Sequence, residues 1–483
     1  MPADPLASGT CLPKVLVVMR CSLKRSLAAA ISLLVFLLII NLASWPHEDL
    51  ELKNVQNWAR SVGVHEIVAD WTLYSLQTVT NTTNVLNISY RYLAGMAPLQ
   101  KKFLTLGLCS VKRKRESYLL ETLTSIFKQS SQEELKEMVV VVHLTDPDQE
   151  WNSQMVQQIA TRFPAQLLQR YLVVIHTPLE YYPPLEGLKR NFNDAEDRVR
   201  FRSKQNVDYA YLVNFAANLS TYYLMIEDDV HCSKYFFTVI RRNLASQKGT
   251  SWVTLEFSKL GYIAKLYHSS DLPRLARFLM LFYQEMPCDW LFVHFRLLLT
   301  QKEEIRFKPS LFQHIGRYSS FQGTLNRLKD EDFEEDLSEL PDNPPADIVT
   351  DIVTFKNYKP SKAYSSVEGY FWGKAPSAGN SFTVIFKQAV SIFRIQIHTG
   401  SQQHPESYLQ EGLVALGTQK LHTWRPGCTN YIPIGYFDQG NFDKQNLESS
   451  TSSDPECVHI VVTKNQSESL IINSISIWIK PKP

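Results

Sequence analysis

Residues 221–230 read TYYLMIEDDV, a mostly apolar and aromatic run that leads directly into three acids, Glu227, Asp228 and Asp229. The run predicts a buried strand, so the acids should lie at its carboxyl end. In open α/β sheets, ligands bind outside the carboxyl ends of the strands. If the strand continues through the acids, Glu227 and Asp229 share a face while Asp228 points away.

Similar strand signals precede this stretch and alternate with helical ones. Residues 102–111, 137–146 and 171–178 are short apolar runs, and the second is rich in β-branched residues that should be buried on both faces. Residues 117–129 and 207–219 have helical patterns between them. Such alternation implies right-handed βαβ units, so we expect an open α/β sheet.

The three acids are the candidate metal ligands. Carboxylates at a strand end can hold Mg²⁺ or Mn²⁺ against a diphosphate, because oxygen ligation suits both ions. The departing diphosphate of a nucleotide sugar carries negative charge that such a cation offsets. A solvated acidic turn is the alternative for the tripeptide alone. His314 could be a further ligand, although its spacing favours a histidine satisfied within the core.

Basic side chains near these strands could contact the phosphates of a nucleotide sugar. Arg113 follows the first strand of the sheet, and Arg202 and Lys204 precede the acidic strand. Guanidinium and ammonium groups bind phosphate well, although most surface cations are simply solvated.

An inverting transfer also needs a general base that deprotonates the acceptor hydroxyl. Asp289 is the preferred candidate, because a carboxylate beside large apolar groups such as Trp290 tends to have a raised pKa. Asp289 could equally be the N-cap of the helix that follows. The other acids considered for this role are Glu256, Asp271 and Glu285.

The N-terminal region contains an apolar segment at residues 26–44, in which no residue is charged. At ~1.5 Å per residue, a helix of this length nearly crosses a ~30 Å hydrocarbon core. Basic residues precede the segment and acidic residues follow it, which predicts a single-pass type II protein with its bulk in the secretory lumen. A cleaved signal peptide is the alternative, but its apolar stretch is usually only ~7–15 residues long.

A lumenal location makes further predictions. Sequons for N-glycosylation follow the apolar segment, and an oxidising compartment permits disulfides. We expect Cys428 to pair with Cys457, since both lie in the same late segment, and their spacing is not that of a zinc site. The net charge of +2 gives no overall field for nucleic acid, so no such partner is expected. The sequons are at Asn81, Asn87, Asn218 and Asn465.

The residue pattern of the chain changes near Pro341, where a charged stretch is followed by a proline-rich one. Beyond it, residues 381–390, 391–400, 458–464 and 469–480 are short strand patterns separated by turn residues. This pattern predicts a β-sandwich of roughly 140 residues.

Several long segments resemble the N-acetylglucosaminyltransferase IV enzymes of glycosyltransferase family 54, and the similarity is greatest to the C isozyme. The resemblance implies a GT-A fold and transfer of N-acetylglucosamine from UDP-N-acetylglucosamine, with Mn²⁺ as the metal. The product would be a β1,4 linkage on the α1,3-arm mannose of an N-glycan. The matching segments are residues 110–127, 180–212, 222–230, 252–275, 282–291 and 307–316.

The resemblance also assigns roles to residues. It places Glu227, Asp228 and Asp229 at the metal–diphosphate motif, with Asp229 as the direct ligand. By analogy with N-acetylglucosaminyltransferase I, whose base lies in an Asp-Trp context, Asp289 followed by Trp290 would be the base.

The expected protein is thus a Golgi membrane enzyme with an α/β fold class. Its partners would be N-glycans, UDP-N-acetylglucosamine, the membrane and other Golgi glycosyltransferases. The alternatives are a catalytically weak lectin or regulator of N-glycan processing, and an N-acetylglucosamine transferase with another acceptor. The predicted organisation is a cytoplasmic tail at 1–25, a transmembrane anchor at 26–44, a stem at 45–98, a GT-A-like domain at 99–340 and a lectin-like β-sandwich at 341–483.

Overall fold

The computed structural model describes residues 86–421, 426–450 and 452–480. These residues belong to one unit by their internal contacts, Thr82–Pro483. They form eighteen strands in four sheets, together with eight α-helices and short 3₁₀ turns. Up to residue 314 the elements are β1 (Arg91–Ala94), β2 (Lys102–Ser110), α1 (Leu119–Lys128), α2 (Gln132–Glu137), β3 (Met138–Leu144), α3 (Gln149–Arg162), α4 (Pro164–Leu168), β4 (Leu172–His176), α5 (Glu196–Ala216), β5 (Ser220–Met225), β6 (Val230–Cys232), α6 (Phe236–Ser246), β7 (Thr254–Glu256), β8 (Lys265–His268), α7 (Leu272–Leu281), α8 (Cys288–Leu298) and β9 (Phe312–His314).

The largest sheet has seven strands in the order β1-β4-β3-β2-β5-β8-β7. Its centre is parallel, because β2 pairs with β3 and β5, and β3 pairs with β4, all in the same direction. Both edges are antiparallel, since β1 runs against β4 and β8 runs against β5 and β7. The carboxyl ends of β2, β3 and β5 therefore meet at one edge of the sheet.

The central strand β3 shows why this sheet forms. All seven of its residues are buried, as the β-branched run predicts for a strand covered on both faces. Val140 and Val142 pack into one core cluster with α1, whereas Val139 and Val141 pack into a second cluster with α5. This alternation follows the period of two along a strand.

The later part of the chain forms two antiparallel sheets. One has five strands in the order β10-β12-β17-β14-β15, and the other has four in the order β11-β18-β13-β16. Residues from both sheets share one core cluster, so the predicted C-terminal β-sandwich agrees with the structure. The strands are β10 (Ala346–Thr350), β11 (Phe371–Gly373), β12 (Ser381–Phe386), β13 (Ile392–Thr399), β14 (Gly412–Leu421), β15 (Gly427–Tyr436), β16 (Asn441–Gln445), β17 (Cys457–Val462) and β18 (Leu470–Ile479).

The expected disulfide is confirmed: Cys428 of β15 is bonded to Cys457 of β17. The three other cysteines of the described chain, Cys109, Cys232 and Cys288, are free. The bond ties two strands of the five-stranded sheet that are not neighbours in the sheet order.

The predicted fold class is corrected by these findings. The described chain is rich in strands, and its large sheet is mixed, so an α/β GT-A-like fold behind a membrane helix does not describe it. The antiparallel strands β1, β7 and β8 could not be predicted, because they have only four, three and four residues. Strands this short show too few alternations for a period to be recognised.

The predicted localisation, a single-pass type II protein of the Golgi membrane, is also corrected. Within residues 86–421, 426–450 and 452–480, no helix is both long and apolar enough to cross a membrane. The segment that prompted the prediction, residues 26–44, lies outside the described residues, as do the predicted tail and most of the predicted stem. The domain boundaries stay predictions, although β1 falls within the predicted stem and joins the large sheet.

Candidate active site

A cleft of about 250 Å³ opens at the carboxyl ends of β2, β3 and β5. This is where the sheet topology predicts a ligand. Segments that follow the three strands supply one side of the cleft, and α5 supplies the other. The lining residues are Cys109, Val111, Lys112, Arg113, Thr145, Asp146, Pro147, Phe201, Lys204, Gln205, Asp208, Tyr209, Glu227, Asp228 and Ser320.

The turn that carries the three acids is fixed by its neighbours. The Ser110 hydroxyl, at the end of β2, donates to Oδ2 of Asp228 at 2.5 Å. The Thr122 hydroxyl of α1 donates to the Asp228 carbonyl at 2.9 Å and accepts from the Val230 amide at 3.0 Å. The Asp228 carboxylate is therefore held by Ser110 at the end of β2, and its backbone is held by Thr122 of α1.

Glu227, Asp229 and His314 form a separate cluster, in which one ligand atom of each lies within 4.8 Å of the others. The pairing of β6 with β9 brings His314 there, because it places Val230 opposite His314. The His314 Nε2 atom lies 3.3 Å from Oδ2 of Asp229, and its Nδ1 atom lies 3.2 Å from the Leu328 carbonyl. A proton on Nδ1 would be donated to that carbonyl and leave Nε2 to bind a cation.

Two further observations fit a divalent cation at this cluster. Oδ1 of Asp229 is buried and has no hydrogen-bond partner, which normally costs ~1–3 kcal/mol. A Cβ atom on Gly316 would lie 2.1 Å from Oδ2 of Asp229, so only glycine lets the chain approach so closely. Two carboxylates suit Mg²⁺ and Mn²⁺, and the imidazole favours Mn²⁺ of the two.

The surroundings of the cluster shift the pKa values of its two carboxyl groups in opposite directions. Burial, together with the charge of Asp229, raises the pKa of Glu227 to about 8. Burial acts in the same direction on Asp229, but the hydrogen bond with His314 and the charge of Arg113 outweigh it and hold its pKa below the usual value. Burial would lower the pKa of His314, yet the hydrogen bond and charge of Asp229 raise it. Asp229 is therefore the permanently ionised member of the cluster.

Of the three predicted phosphate contacts, two line the cleft. The Arg113 guanidinium is paired with Asp228 and, at 3.1 Å, with Asp229. The Lys204 ammonium is held by Asp208 at 2.8 Å and by the Thr145 carbonyl at 2.7 Å.

Arg202 does not line the cleft. Its side chain is 1% exposed, and it bonds Asp194 at 3.1 Å and the Gln284 carbonyl at 3.0 Å. It thus joins the segment before α5 to the segment before α8, which is a structural role. The sequence around Arg202 is basic on both sides, so it does not show whether this side chain faces the cleft or the interior of the protein.

Asp289 is not among the residues that line the cleft, but the residue before it, Cys288, contacts the cleft wall. Asp289 is the second residue of α8, and burial raises its pKa although its own backbone amide and that of Trp290 stabilise the charged form. The preceding Cys288 interacts electrostatically with both Asp289 and Glu227, and its Sγ atom lies 3.9 Å from Oε1 of Gln205 in the cleft wall. The α8 N-cap is Pro287, so Asp289 is not the cap.

The other acids considered as the general base have other partners or positions. Glu256 is paired with Lys265 at 2.7 Å, and both side chains are buried. Glu285 bonds Lys189 at 3.0 Å, and Asp271 directly precedes α7. Of the four candidates, this leaves Asp289 as the one whose neighbour in sequence contacts the cleft wall.

The sequons are surface features where the structure describes them. Asn87, Asn218 and Asn465 are exposed, and Oδ1 of Asn465 accepts from the Ala378 amide at 2.7 Å. Asn81 lies outside the described residues. Glycosylation at these four positions stays a prediction.

Sequence reasoning missed four residues of the site: Ser110, Thr122, Gly316 and, as a favoured ligand, His314. No local pattern marks the first three, because their partners lie far along the chain. The signal for His314 is that a histidine ends β9, after Phe312 and Gln313, and a glycine follows two residues later. This signal can be interpreted only once the pairing of β9 with β6 is known, because that pairing brings His314 to the acids.

Two family profiles cover most of the chain. The MGAT4 conserved region matches residues 69–333, and the MGAT4 C-terminal domain matches residues 346–474.

The curated relatives are similar over nearly their whole length. An alpha-1,6-mannosyl-glycoprotein 4-beta-N-acetylglucosaminyltransferase of Gallus gallus is 56% identical, over 95% of this chain and 99% of its own. An alpha-1,3-mannosyl-glycoprotein 4-beta-N-acetylglucosaminyltransferase C of Sus scrofa is 53% identical, over 95% of this chain and 96% of its own. The C enzyme of Mus musculus is 51% identical over the same shares. With two profiles and these relatives in agreement, the chain belongs to the MGAT4 family of 4-beta-N-acetylglucosaminyltransferases.

Proposed function

We propose that this chain transfers N-acetylglucosamine from UDP-N-acetylglucosamine to the 4-hydroxyl of a mannose in an N-glycan. Family membership supports the reaction type and the donor. The observation that carries the proposal to named residues is the buried cluster of Glu227, Asp229 and His314 beside a cleft at the strand ends.

The cleft residues have defined tasks in this proposal. Glu227, Asp229 and His314 would hold a divalent cation, Mn²⁺ by the chemistry of the donor set. The chemistry that such an ion supplies is compensation of the charge on the departing diphosphate. Arg113 lies against both Asp228 and Asp229, so it can balance their charge and contact phosphate oxygens at the same edge.

The transfer itself is a single displacement. The 4-oxygen of the acceptor mannose forms a bond to C1 of N-acetylglucosamine, while the bond from C1 to the diphosphate oxygen breaks. The electron pair of that bond leaves with UDP, and the proton of the hydroxyl passes to the Asp289 carboxylate. Attack opposite the leaving group inverts the anomeric centre and gives the β linkage. The raised pKa of Asp289 suits this role, because a base works best when its pKa approaches the working pH.

The names of the relatives indicate two candidate acceptors. The Gallus gallus relative is named for an alpha-1,6-linked mannose and the C enzymes for an alpha-1,3-linked one. The resemblance to the C isozyme favours the α1,3-arm, and the Gallus gallus relative is the specific reason to test the α1,6-arm. Both reactions use the same donor and form the same linkage.

The test uses the purified chain with UDP-N-acetylglucosamine, Mn²⁺ and N-glycans that present a free 4-hydroxyl on one arm or on the other. Mass spectrometry with linkage analysis reads the product. We expect a β1,4-linked product on one arm, lost on chelation, and lost in Asp229→Asn with weakened Mn²⁺ binding. Asp347→Asn is the matched control, because this carboxylate is exposed and paired only with Lys387 near the end of the five-stranded sheet.

The roles of the two acids are tested separately. Asp289→Asn should bind Mn²⁺ and UDP-N-acetylglucosamine as the unmodified chain does, but should not form product. Full turnover in Asp289→Asn would remove this residue as the base. Binding of glycans without product from any acceptor would instead indicate a lectin or regulator, and would overturn the proposed transfer.

A further inference from the structure

Two large aromatic side chains are exposed beside the proposed base. Phe192 is 56% exposed and Trp290 is 49% exposed. Their ring centroids are 5.0 Å apart, and the ring planes stand at 84°. The two rings thus form the two walls of an open corner, and one wall belongs to the residue that follows Asp289.

The loop that presents Phe192 is held in a costly conformation. Phe192 and Asn193 both have positive φ angles, 60° and 57°, which non-glycine residues adopt rarely. Backbone strain of this kind persists where surrounding contacts enforce it, and it is concentrated at binding and catalytic sites.

Contacts with the segment before α8 provide that enforcement. The side-chain amide of Asn191 donates to the backbone carbonyl of Glu285 at 2.8 Å and to the Glu285 carboxylate at 2.9 Å. The buried Arg202 guanidinium bonds Asp194 and the Gln284 carbonyl, and its centre lies 5.9 Å from the Phe192 ring. The loop and the start of α8 are therefore fastened together, so the corner is built into the fold.

The corner adjoins the cleft through a short chain of contacts. Phe201 lines the cleft, and the Arg198 guanidinium lies 5.9 Å from its ring. Arg198 in turn interacts electrostatically with Asp289, the neighbour of Trp290. These contacts connect the cleft, through Phe201 and Arg198, to Asp289 and the aromatic corner.

We propose that the corner of Phe192 and Trp290 binds a hexose ring of the N-glycan acceptor and so directs a hydroxyl of that glycan toward Asp289. This inference rests on the proposed function. Aromatic faces pack well against the apolar faces of sugar rings, and a corner constrains the orientation of a ring more than one flat surface does. The charged rim fits hydroxyl groups: Lys189 and Glu285 lie beside the loop, and Arg198 lies beside the base.

A sugar explains the corner better than a second copy of this chain does. An interface between proteins usually has an apolar centre from which charged residues are depleted. Here the Arg202 guanidinium lies 5.9 Å from the Phe192 ring, an ion pair of Lys189 with Glu285 joins the same two segments, and the rings meet edge to face rather than forming a flat patch. This arrangement resembles a small polar ligand site with aromatic walls.

The test compares Phe192→Ala and Trp290→Ala with Trp290→Phe, which keeps an aromatic wall. Leu298→Ala is the matched control, because Leu298 is exposed on the same helix. Steady-state kinetics should show the KM for the glycan raised by about tenfold in both alanine variants, as expected for a lost aromatic contact. The KM for UDP-N-acetylglucosamine and the binding of Mn²⁺ should not change, Trp290→Phe should restore much of the acceptor affinity, and Leu298→Ala should match the unmodified chain.

Phe192→Ala keeps the inference testable if Trp290→Ala fails to fold, because Phe192 lies on a surface loop. An unchanged glycan KM in folded Phe192→Ala would overturn the inference, as would a change of oligomeric state without a change of glycan KM. If the unmodified chain forms no product, the proposed function fails first. Saturation-transfer NMR with the same glycan then decides the corner by itself: signal that is lost in Phe192→Ala supports it, and signal that persists overturns it.

Discussion

Gly316 shows how one residue without a side chain shapes the cluster of Glu227, Asp229 and His314. It lies two residues after His314, directly beside the Asp229 carboxylate. An added Cβ atom would stand 2.1 Å from Oδ2 of Asp229 and 2.8 Å from its Cγ atom. Contacts under 3 Å do not occur between such atoms, so either the carboxylate or the chain must move.

Gly316→Ala should therefore weaken Mn²⁺ binding and transferase activity together. The displaced Asp229 carboxylate can no longer meet Glu227 and His314 around one ion, and the overpacking should also lower the free energy of unfolding by ~1–3 kcal/mol. Calorimetric titration with Mn²⁺ and urea unfolding measure the two effects. Gly427→Ala is the control, since among the described residues its added Cβ would meet the Tyr431 hydroxyl at 3.6 Å, an ordinary contact distance. Unchanged Mn²⁺ affinity in Gly316→Ala would contradict this account of the cluster.

His143 makes the stability of the chain sensitive to acid. It is fully buried in β3, where its Nε2 atom lies 2.9 Å from the Thr177 hydroxyl and its Nδ1 atom 3.2 Å from the Asp208 carbonyl. Burial, and then the nearby charge of Lys204, lower the pKa of His143 from 6.5 to about 3. Between these two pH values the unfolded chain binds a proton that the folded chain does not.

The free energy of unfolding should therefore fall as the pH drops below 6.5, and continue to fall until pH 3. This histidine alone should contribute a loss of about 2 kcal/mol between pH 7 and pH 5. Urea unfolding at both pH values measures the loss, and His143→Gln removes the titrating group while keeping polar atoms. The difference between the two pH values should be smaller in His143→Gln by about this amount. An equal difference in both proteins would assign the acid sensitivity to other groups.

At the scale of elements, one loop spans the donor cleft. Residues 316–324, the strap, follow β9. At one end the Tyr118 hydroxyl accepts from the Arg317 amide at 3.1 Å, and the Arg113 guanidinium donates to the Tyr318 carbonyl at 2.9 Å. At the other end, Phe321 packs against Phe201 of α5 with ring centroids 5.1 Å apart.

Phe321→Ala should loosen the strap at its α5 end. Since Ser320 and Phe201 line the cleft, the KM for UDP-N-acetylglucosamine should rise about two- to tenfold, the range expected for one aromatic pair. Hydrogen exchange should increase across the strap, while the KM for the glycan stays as it was. Phe321→Leu, which keeps an apolar contact, is the control and should show a smaller rise. A rise confined to the glycan KM would place the strap at the acceptor instead.

The elements also show what the sequence could predict. The buried strands β2 to β5 and the helix α1 were predicted close to where they occur, because their apolar spacing extends over enough residues. Only the later part of α5 was predicted, since the helical pattern at residues 207–219 begins eleven residues after the helix does. The short edge strands β1, β7 and β8 were not, and the predicted fold class was wrong in consequence. An edge strand of three or four residues is defined by its partner in the sheet rather than by its own pattern.

The residues of the site likewise fall into those that could be placed from the sequence and those that could not. Glu227, Asp228 and Asp229 could be placed at a strand end from the sequence, because one continuous stretch contains both the strand and the acids. The position of His314 could not, since it depends on the pairing of β6 with β9, two strands of three residues each. Arg202 was placed in the cleft but is buried elsewhere, because the sequence of a helix does not show which neighbours surround each face.

At the scale of the whole chain, the two C-terminal sheets have a core of their own, separate from the clusters around the large sheet. The disulfide between Cys428 and Cys457 lies in a small cluster of the five-stranded sheet, with Ile385. None of the residues that line the cleft belongs to either of these later groups. Stability of the sheets and chemistry at the cleft should therefore be separable.

Replacing Cys428 and Cys457 together by alanine should lower the free energy of unfolding by about 3.5 kcal/mol, as expected for a bridge that closes a loop of this size. The residues are 29 apart in sequence. A reductant provides the control. It should destabilise the unmodified chain, which contains the disulfide, by a similar amount, and it should not affect the double variant, which lacks it. Where the double variant is folded, its KM values for donor and glycan should equal those of the unmodified chain. A folded variant with changed KM values would show that the β-sheets help to shape the active site.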